Sequence, residues 1–367
     1  MMSEETPRLS SIVLRVSDTS REDLKRFYTT VMGMHHVVFR NSEEGIDAFV
    51  ISQRHPQFTE FLRKHYSADL KFLSNPSLQP YQPSRDDVYW KIGLVLNDVD
   101  VAVDTINKAM ESLKDDSNDN APIQHGSQFL DIGFLTQLKD PCNFSIELLQ
   151  TSFKDNVELR KQLIENVLKQ EDEFISNIKG KEPSNDTEDN LVQSKTLLES
   201  EPFVIGQVTT RITDPQKSID FYTNVMKMKL LSIQEVTKYR FTLYFLGYTK
   251  EAPPEKEDLK HVRNREWLWQ RKYTTLELQW RWDSKYLTKL KDNFEGLDSL
   301  EVEIDHKDQA QASSLLQNIK NEKSFRPVTK EMRSVSFDGY STQLHGIITD
   351  PDGLKIKLIS KSYDQET

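Results

Sequence analysis

The sequence predicts an α+β protein made of two tandem copies of one domain, and three observations predict it. First, Leu14-Arg15-Val16-Ser17-Asp18 leads into Phe27-Tyr28-Thr29-Thr30-Val31-Met32-Gly33-Met34, and Thr210-Arg211-Ile212-Thr213-Asp214 leads into Phe221-Tyr222-Thr223-Asn224-Val225-Met226-Lys227-Met228. Second, the halves end alike: Lys139-Asp140-Pro141 precedes Phe144-Ser145-Ile146-Glu147-Leu148-Leu149, and Thr349-Asp350-Pro351-Asp352-Gly353 precedes Lys355-Ile356-Lys357-Leu358-Ile359. Third, stretches of period-two alternation are interleaved with stretches of helical period, so each half reads as two units of strand, helix and further strands.

In the first half, strands are expected at residues 11–17, 48–52 and 89–96, a helix at 101–113 and a last strand at 144–149. Residues 155–179 place Leu159, Leu163, Val167, Phe174 and Ile178 near helical spacing, which predicts a connecting helix. The polar, breaker-rich run 180–190 after it predicts a mobile linker. In the second half, residues 207–213 alternate like a strand, Asp214-Pro215 supplies an N-cap and a first-turn proline, and Ile219, Tyr222, Val225 and Met226 recur at helical spacing. Strands at 241–246 and 274–280 flank a charged loop at 250–265. A closing unit at 298–359 contains an amphipathic helix near 309–319 and a strand after the Asp350-Pro351-Asp352-Gly353 turn. The domain bounds are 8–150 and 201–362, with a helical then mobile linker at 151–200.

Composition bounds the function. With 367 residues, 36% hydrophobic and 29% charged, the chain is an ordinary globular protein with no apolar run long enough to span a membrane. A net charge of -10 and the lack of a basic, aromatic-interleaved stripe argue against nucleic-acid binding. The acidic start Met1-Met2-Ser3-Glu4-Glu5 resembles no secretory or transit signal, and the single cysteine, Cys142, suits a reducing compartment. A cytoplasmic protein, with the nucleus also open to it, is expected.

Residues 238–248, Tyr273-Thr274-Thr275-Leu276-Glu277-Leu278, Asp350-Pro351-Asp352-Gly353 and the pair Phe221-Tyr222 resemble glyoxalase I, a lactoylglutathione lyase of the vicinal-oxygen-chelate superfamily. The resemblance covers both halves and is stronger in the second. It implies tandem domains of two βαβββ units each, forming concave mixed sheets, as in the fused two-domain enzymes of fungi. It also implies a monomer, because fusion supplies the interface that single-domain relatives make by dimerising.

The family binds a divalent metal, of the zinc or the magnesium and nickel class, through four side chains on strands. Alternation explains how strands do this, since every second side chain points into the same cup. Position by position, the resemblance assigns Ser11, Lys71, Lys91 and Glu147 in the first half and Gln207, Glu277, Ser299 and Lys357 in the second. Family sites are shared between the first unit of one domain and the second unit of the other. Ser11, Lys71, Ser299 and Lys357 then form a degenerate set without an acid. Gln207, Glu277, Glu147 and Lys91 form a composite set with lysine in place of the family's histidine.

In the family a carboxylate removes the proton beside the carbonyl of the glutathione–methylglyoxal hemithioacetal, the metal stabilises the enediolate, and a proton returns to the next carbon. The resemblance gives Glu147 the role of principal base and Glu277 that of second carboxylate. Arg211 matches the family's glutathione-gripping arginine; Asn75 matches its asparagine partner but belongs to the degenerate set, and in the composite set that position is Arg281. A protonated lysine cannot donate a lone pair to a metal. Two readings of function follow: isomerisation surviving at the composite site, with a divalent metal held weakly by its three oxygen ligands or with none, and with Lys91 supplying part of the positive charge; or a catalytically inactive relative that binds a small molecule or a protein partner. A third, a dioxygenase, calls for two histidines and a carboxylate, and none of the eight histidines falls at a ligand position. A lysine beside two glutamates is also what a satisfied structural ion pair looks like.

Other conspicuous residues read as structure. Trp267, Trp269, Trp280 and Trp282 are expected in core packing rather than as the roof of a pocket. His35-His36 is expected on a strand, Cys142 as an unreactive turn residue, and 115–120 as a solvated acidic loop.

Overall fold

The computed structural model describes residues 7–41, 46–52, 68–113, 121–153, 196–201, 203–288, 293–304, 315, 317–323, 326–327 and 340–363. The expected linker helix and mobile run, and the acidic loop, lie outside these residues. The expected helix near 309–319 is described only at its end, where 315 and 317–320 are helical.

Four units follow one another. The first has β1 (Arg8–Val16), α1 (Arg21–Arg26), β2 (His35–Asn41), β3 (Ile46–Ser52) and β4 (Asp69–Ser74). The second has β5 (Tyr89–Leu96), α2 (Val99–Ser112), β6 (Ser127–Phe129), β7 (Gly133–Lys139) and β8 (Ser145–Gln150). A short α3 (Leu197–Ser200) precedes the third, with β9 (Phe203–Ile212), α4 (Pro215–Asp220), β10 (Lys229–Val236), β11 (Phe241–Gly247), α5 (Arg263–Trp269) and β12 (Thr275–Arg281). The fourth has β13 (Gly296–Glu303), β14 (Arg326–Pro327), β15 (Tyr340–Thr349) and β16 (Lys355–Tyr363).

Local chemistry sets the helix boundaries. The Asp98 carboxylate accepts from the backbone N–H groups of Asp100 and Val101 and starts α2, whose Val99, Ala102, Val103, Ile106 and Ala109 form its buried stripe. Asp214 accepts from Lys217 N–H and Pro215 opens α4. Helices α1 and α4 each run on into a π-helical turn, Phe27–Val31 and Phe221–Val225. These turns bury Tyr28 and Tyr222, whose hydroxyls donate to Asp140 at 3.0 Å and Asp350 at 2.8 Å. The two sequence repeats, Phe-Tyr-Thr and Asp-Pro, are thus one tertiary device.

The strands form two eight-stranded mixed sheets, ordered β14-β15-β16-β13-β1-β4-β3-β2 and β10-β11-β12-β9-β5-β8-β7-β6. Each sheet takes one unit from each half, joined at the antiparallel seams β1·β13 and β5·β9. The register at these seams sets the sites: Gln207 lies opposite Gly93 and Ser11 opposite Glu301. Leu276 and Leu278 of β12 pack with Tyr222 and Met226 in the main core. Between them Glu277 points to the other face. Among the described residues no helix is long and apolar enough to cross a membrane.

Candidate functional site

The seam between β5 and β9 carries a cavity of about 350 Å³ that opens between residues of both halves. Its walls are largely apolar and include Trp90, Phe241, Leu243, Phe245 and Trp269; its floor holds Lys91, Glu147, Gln207 and Glu277. Strand alternation sends Glu147 and Glu277 to the cup while Ile146, Leu148, Leu276 and Leu278 enter the core. A register shift between Tyr89 and Lys91 interrupts alternation, so consecutive residues Trp90 and Lys91 both line the cavity. Gly93 makes room for Gln207, because a Cβ at that position would lie 2.3 Å from Gln207 Cγ.

The floor is a closed electrostatic unit. Lys91 Nζ donates to Glu147 Oε2 at 2.6 Å and lies 3.7 Å from Glu277 Oε2, with the lysine and Glu147 side chains 5% and 4% exposed and Glu277 fully enclosed. Gln207 Nε2 donates to Glu147 Oε1 at 3.0 Å, and Thr209 Oγ1 to Glu277 Oε2 at 2.6 Å. Among the described residues Glu277 Oε1 has no hydrogen-bond partner. Burial alone would lower the Lys91 pKa, but the charges of Glu147 and Glu277 outweigh it and hold the ammonium above its ordinary value. Burial pushes the Glu277 carboxyl up, opposed by Lys91 and reinforced by Glu147. The lysine ammonium also sits 4.5 Å from the centre of the Trp90 ring.

The two arginines lie elsewhere. Arg211 Nη1 donates to the carbonyls of Ser84, Asp87 and Tyr89 at 3.0 to 3.2 Å, and its Nε donates to Gln279 at 3.1 Å. Arg281 donates to the Arg85 carbonyl and, at 3.1 Å, to the Asp86 carboxylate. Both hold the 84–89 loop against the second sheet, and neither lines the cavity.

No family model matches the chain. The lactoylglutathione lyase of Escherichia coli O157:H7 is 30% identical over 154 residues, which are 41% of this chain and 87% of that protein. The chain belongs to the glyoxalase I, or lactoylglutathione lyase, family. The lactoylglutathione lyase of Neisseria meningitidis is 29% identical over 157 residues, covering 43% of this chain and 90% of that one. Glyoxalase I from Zea mays shares the fold over 97% of this chain and 93% of its own, with a TM-score of 0.54 and 17% identity. A putative dioxygenase from Bacillus subtilis does so over 99% and 87%, with a TM-score of 0.52 and 11% identity.

The metal that the glyoxalase I family implies can be tested against the floor. Two carboxylates and one amide oxygen are suitable donors, but the fourth position presents a protonated amine, and that amine already neutralises the carboxylates. Two unit charges 4 Å apart repel by about 4 kcal/mol at an effective dielectric of 20, and a divalent ion beside the ammonium doubles this. The set does not fit a divalent metal while Lys91 keeps its proton. Among the described residues no group of three or more His, Cys, Asp or Glu side chains has ligand geometry.

The degenerate set, Ser11, Lys71, Ser299 and Lys357, has an acidic neighbour outside its four positions: Ser11, Lys71 and Lys357 adjoin Glu301, which stands where the other seam has Gly93. Lys71 Nζ reaches Glu301 at 2.5 Å, Lys357 Nζ reaches Asp298 at 3.1 Å, and Ser299 Oγ donates to Asp298 at 2.9 Å. Burial opposes ionisation of Glu301, yet Lys71 and then Lys357 hold its carboxyl below the usual range. The two seams differ in charge pattern: one holds a lysine between two glutamates, and the other holds Glu301 paired with Lys71 and facing the more distant charge of Lys357, which is itself paired with Asp298. Sequence matching alone could not find Glu301, because its counterpart is a glycine.

Three further residues escaped the sequence reading. Trp90, Gln137 and Gln234 line the composite cavity, and only strand register reveals them. Trp269, expected in the core, is 3% exposed and also walls the cavity, whereas Trp280 packs against the main core and Trp282 Nε1 donates to Thr242 at 3.0 Å. His35 begins β2, and Cys142 is buried, which pushes its thiol pKa far up and leaves it an unreactive turn residue.

Proposed function

We propose that this chain is a ligand-binding member of the glyoxalase I family whose composite pocket takes one small, largely apolar molecule without a metal, and that it does not perform the metal-dependent isomerisation of the glutathione–methylglyoxal hemithioacetal. The observation that carries this reading is the Lys91 ammonium seated 2.6 Å from Glu147 and 3.7 Å from Glu277. The carboxylates assigned to base catalysis are spent on that ammonium. The arginines assigned to glutathione bind loop carbonyls instead. What remains open to a ligand is a cavity with aromatic walls, the kind of surface that binds by apolar burial. One chain closes both seams, so we read the working unit as a monomer.

The test is made on the purified full chain: metal content, thioester formation from glutathione and methylglyoxal, and quenching of tryptophan fluorescence by a naphthalene probe. The expected result is no stoichiometric zinc or nickel, no turnover and saturable quenching. Turnover abolished by Glu147→Gln would overturn the proposal.

One observation favours a second reading. Glu277 Oε1 is buried without a partner among the described residues, and burial raises its carboxyl pKa, as suits a general base. Here Glu277 would take the proton beside the substrate carbonyl while Lys91 Nζ holds the developing oxyanion, and the Glu277 carboxyl would return that proton to the neighbouring carbon, so the isomerisation would proceed without metal. Metal-independent turnover lost in Glu277→Gln and in Lys91→Met marks this reading; activity retained in Glu277→Gln removes it.

A further inference from the structure

Gln234 sits on the wall of the composite cavity, away from the charged floor. Its strand neighbour across β10·β11 is Leu243, whose neighbour across β11·β12 is Gln279, two residues along from Glu277. Two strand spacings separate β10 from β12, roughly 10 Å, so Gln234 and the lysine–glutamate floor address opposite ends of one ligand. Gln234 is 1% exposed, and among the described residues neither its amide nitrogen nor its amide oxygen has a hydrogen-bond partner. A leucine there would fill the same wall without that desolvation penalty; both amide atoms lie covered just behind the cavity wall, so a turn of the side chain brings an unpaired amide to whatever enters the cavity.

We propose that Gln234 is the specificity-determining residue of this pocket, and that the ligand carries a neutral group presenting a hydrogen-bond donor beside an acceptor, such as a carboxamide or lactam, on an apolar body. The inference rests on the reading of the cavity as a ligand pocket. The chemistry follows from the amide itself, which offers one acceptor oxygen and two donor hydrogens side by side and is matched by a group with the complementary pair. Neutrality follows from the surroundings: Phe241, Leu243 and Phe245 supply no counter-charge, so a charged end would be desolvated without compensation. The body is apolar because Trp90 and Trp269, with further aliphatic and aromatic side chains, line most of the rest of the enclosure.

Three probes of one shape separate these claims: naphthalene-2-carboxamide, 2-acetylnaphthalene, which accepts but cannot donate, and naphthalene-2-carboxylate, which is charged. Their dissociation constants are measured by tryptophan quenching with the wild type and with Gln234→Leu. The variant removes two unpaired buried polar atoms, so it should fold, and its melting temperature checks this; Gln234→Met serves as a second replacement. The wild type should bind the carboxamide at least about tenfold tighter than the ketone, with the carboxylate weakest. Gln234→Leu should abolish that preference by weakening the carboxamide while leaving the ketone within about threefold. Equal binding of carboxamide and ketone by the wild type, or a preference unchanged in Gln234→Leu, overturns the assignment and leaves the pocket reading intact. No binding of any probe to the wild type overturns the pocket reading and this assignment with it.

Discussion

Lys91 and Glu277 come from opposite halves of the chain and stand 3.7 Å apart, one on β5 and the other on β12, either side of the strand that joins the halves. The ammonium is therefore held by a carboxylate from each half, Glu147 and Glu277, and its removal should change what the site can bind. Lys91→His replaces an ammonium with an imidazole lone pair among the same carboxylates and Gln207, a donor set of the catalytic zinc type. Zinc or nickel at about 100 times its dissociation constant should stabilise that variant by about 2.7 kcal/mol and leave the wild type unmoved. Thermal melts with and without metal decide it, and an equal shift in both proteins sinks the idea.

The lysine should also write itself into the alkaline limb of stability. Its folded pKa is raised, because Glu147 and Glu277 outweigh burial. A raised pKa means that the folded state holds the proton more tightly, so the contribution is complete below the unfolded value of about 10.4 and is lost as pH rises through the folded value. Urea midpoints measured from pH 8 upward should fall for the wild type above that point and stay flatter for Lys91→Met. At neutral pH the same substitution should cost about 3–5 kcal/mol, since it leaves two carboxylates buried without their counter-charge. A parallel alkaline decline in both proteins would count against the ion pair as its source.

Glu301 predicts the mirror image on the acid side. Its folded pKa is lowered by Lys71 and Lys357 against the effect of burial, so its contribution is present above the unfolded value of about 4.3 and lost as pH falls through the folded one. Glu301→Gln should flatten the acid limb of the urea midpoints. An unchanged acid limb would mean that the carboxylate is not stabilised by these lysines.

The Tyr28–Asp140 and Tyr222–Asp350 pairs should contribute equally and independently. Removing the hydroxyl leaves a buried carboxyl short of a donor, so Tyr28→Phe and Tyr222→Phe should each cost about 1–3 kcal/mol. The carboxyls are already pushed up, Asp140 to about 7 and Asp350 to about 6, chiefly by burial. Chemical denaturation of the single and double variants checks both size and additivity; a neutral Tyr222→Phe would remove the pair from the fold's supports.

Gly93→Ala tests the floor from below. Its Cβ would meet Gln207 Cγ at 2.3 Å, near the root of that side chain, so Gln207 must swing away from Glu147. Overpacking of this kind costs about 1–3 kcal/mol. A crystal structure of the variant should show the Gln207–Glu147 hydrogen bond broken, and an undisturbed bond would contradict the close approach seen here.

Much of this molecule was legible in its residues. The duplication, the strand at 89–96, the N-cap at Asp214 and the inward alternation of Glu147 and Glu277 all follow from local chemistry, because period and capping are properties of short segments. The recombination of Gln207, Glu277, Glu147 and Lys91 into one site came from resemblance, and the seam β5·β9 brings those four together. Glu301, Trp90 and Gln234 were not legible, since each acquires its role only from the residue opposite it on a neighbouring strand.

By itself, then, the sequence determined the repeated α+β plan, the family, and which side chains face the cup, since those depend on interactions within a few residues. Only the tertiary structure decided that Lys91 lies between two glutamates, that Glu301 pairs with Lys71 at the other seam, and that Arg211 and Arg281 bind loop carbonyls. Those outcomes depend on strand register between segments far apart in the chain, and a shift of a single residue would turn each of these side chains to the opposite face.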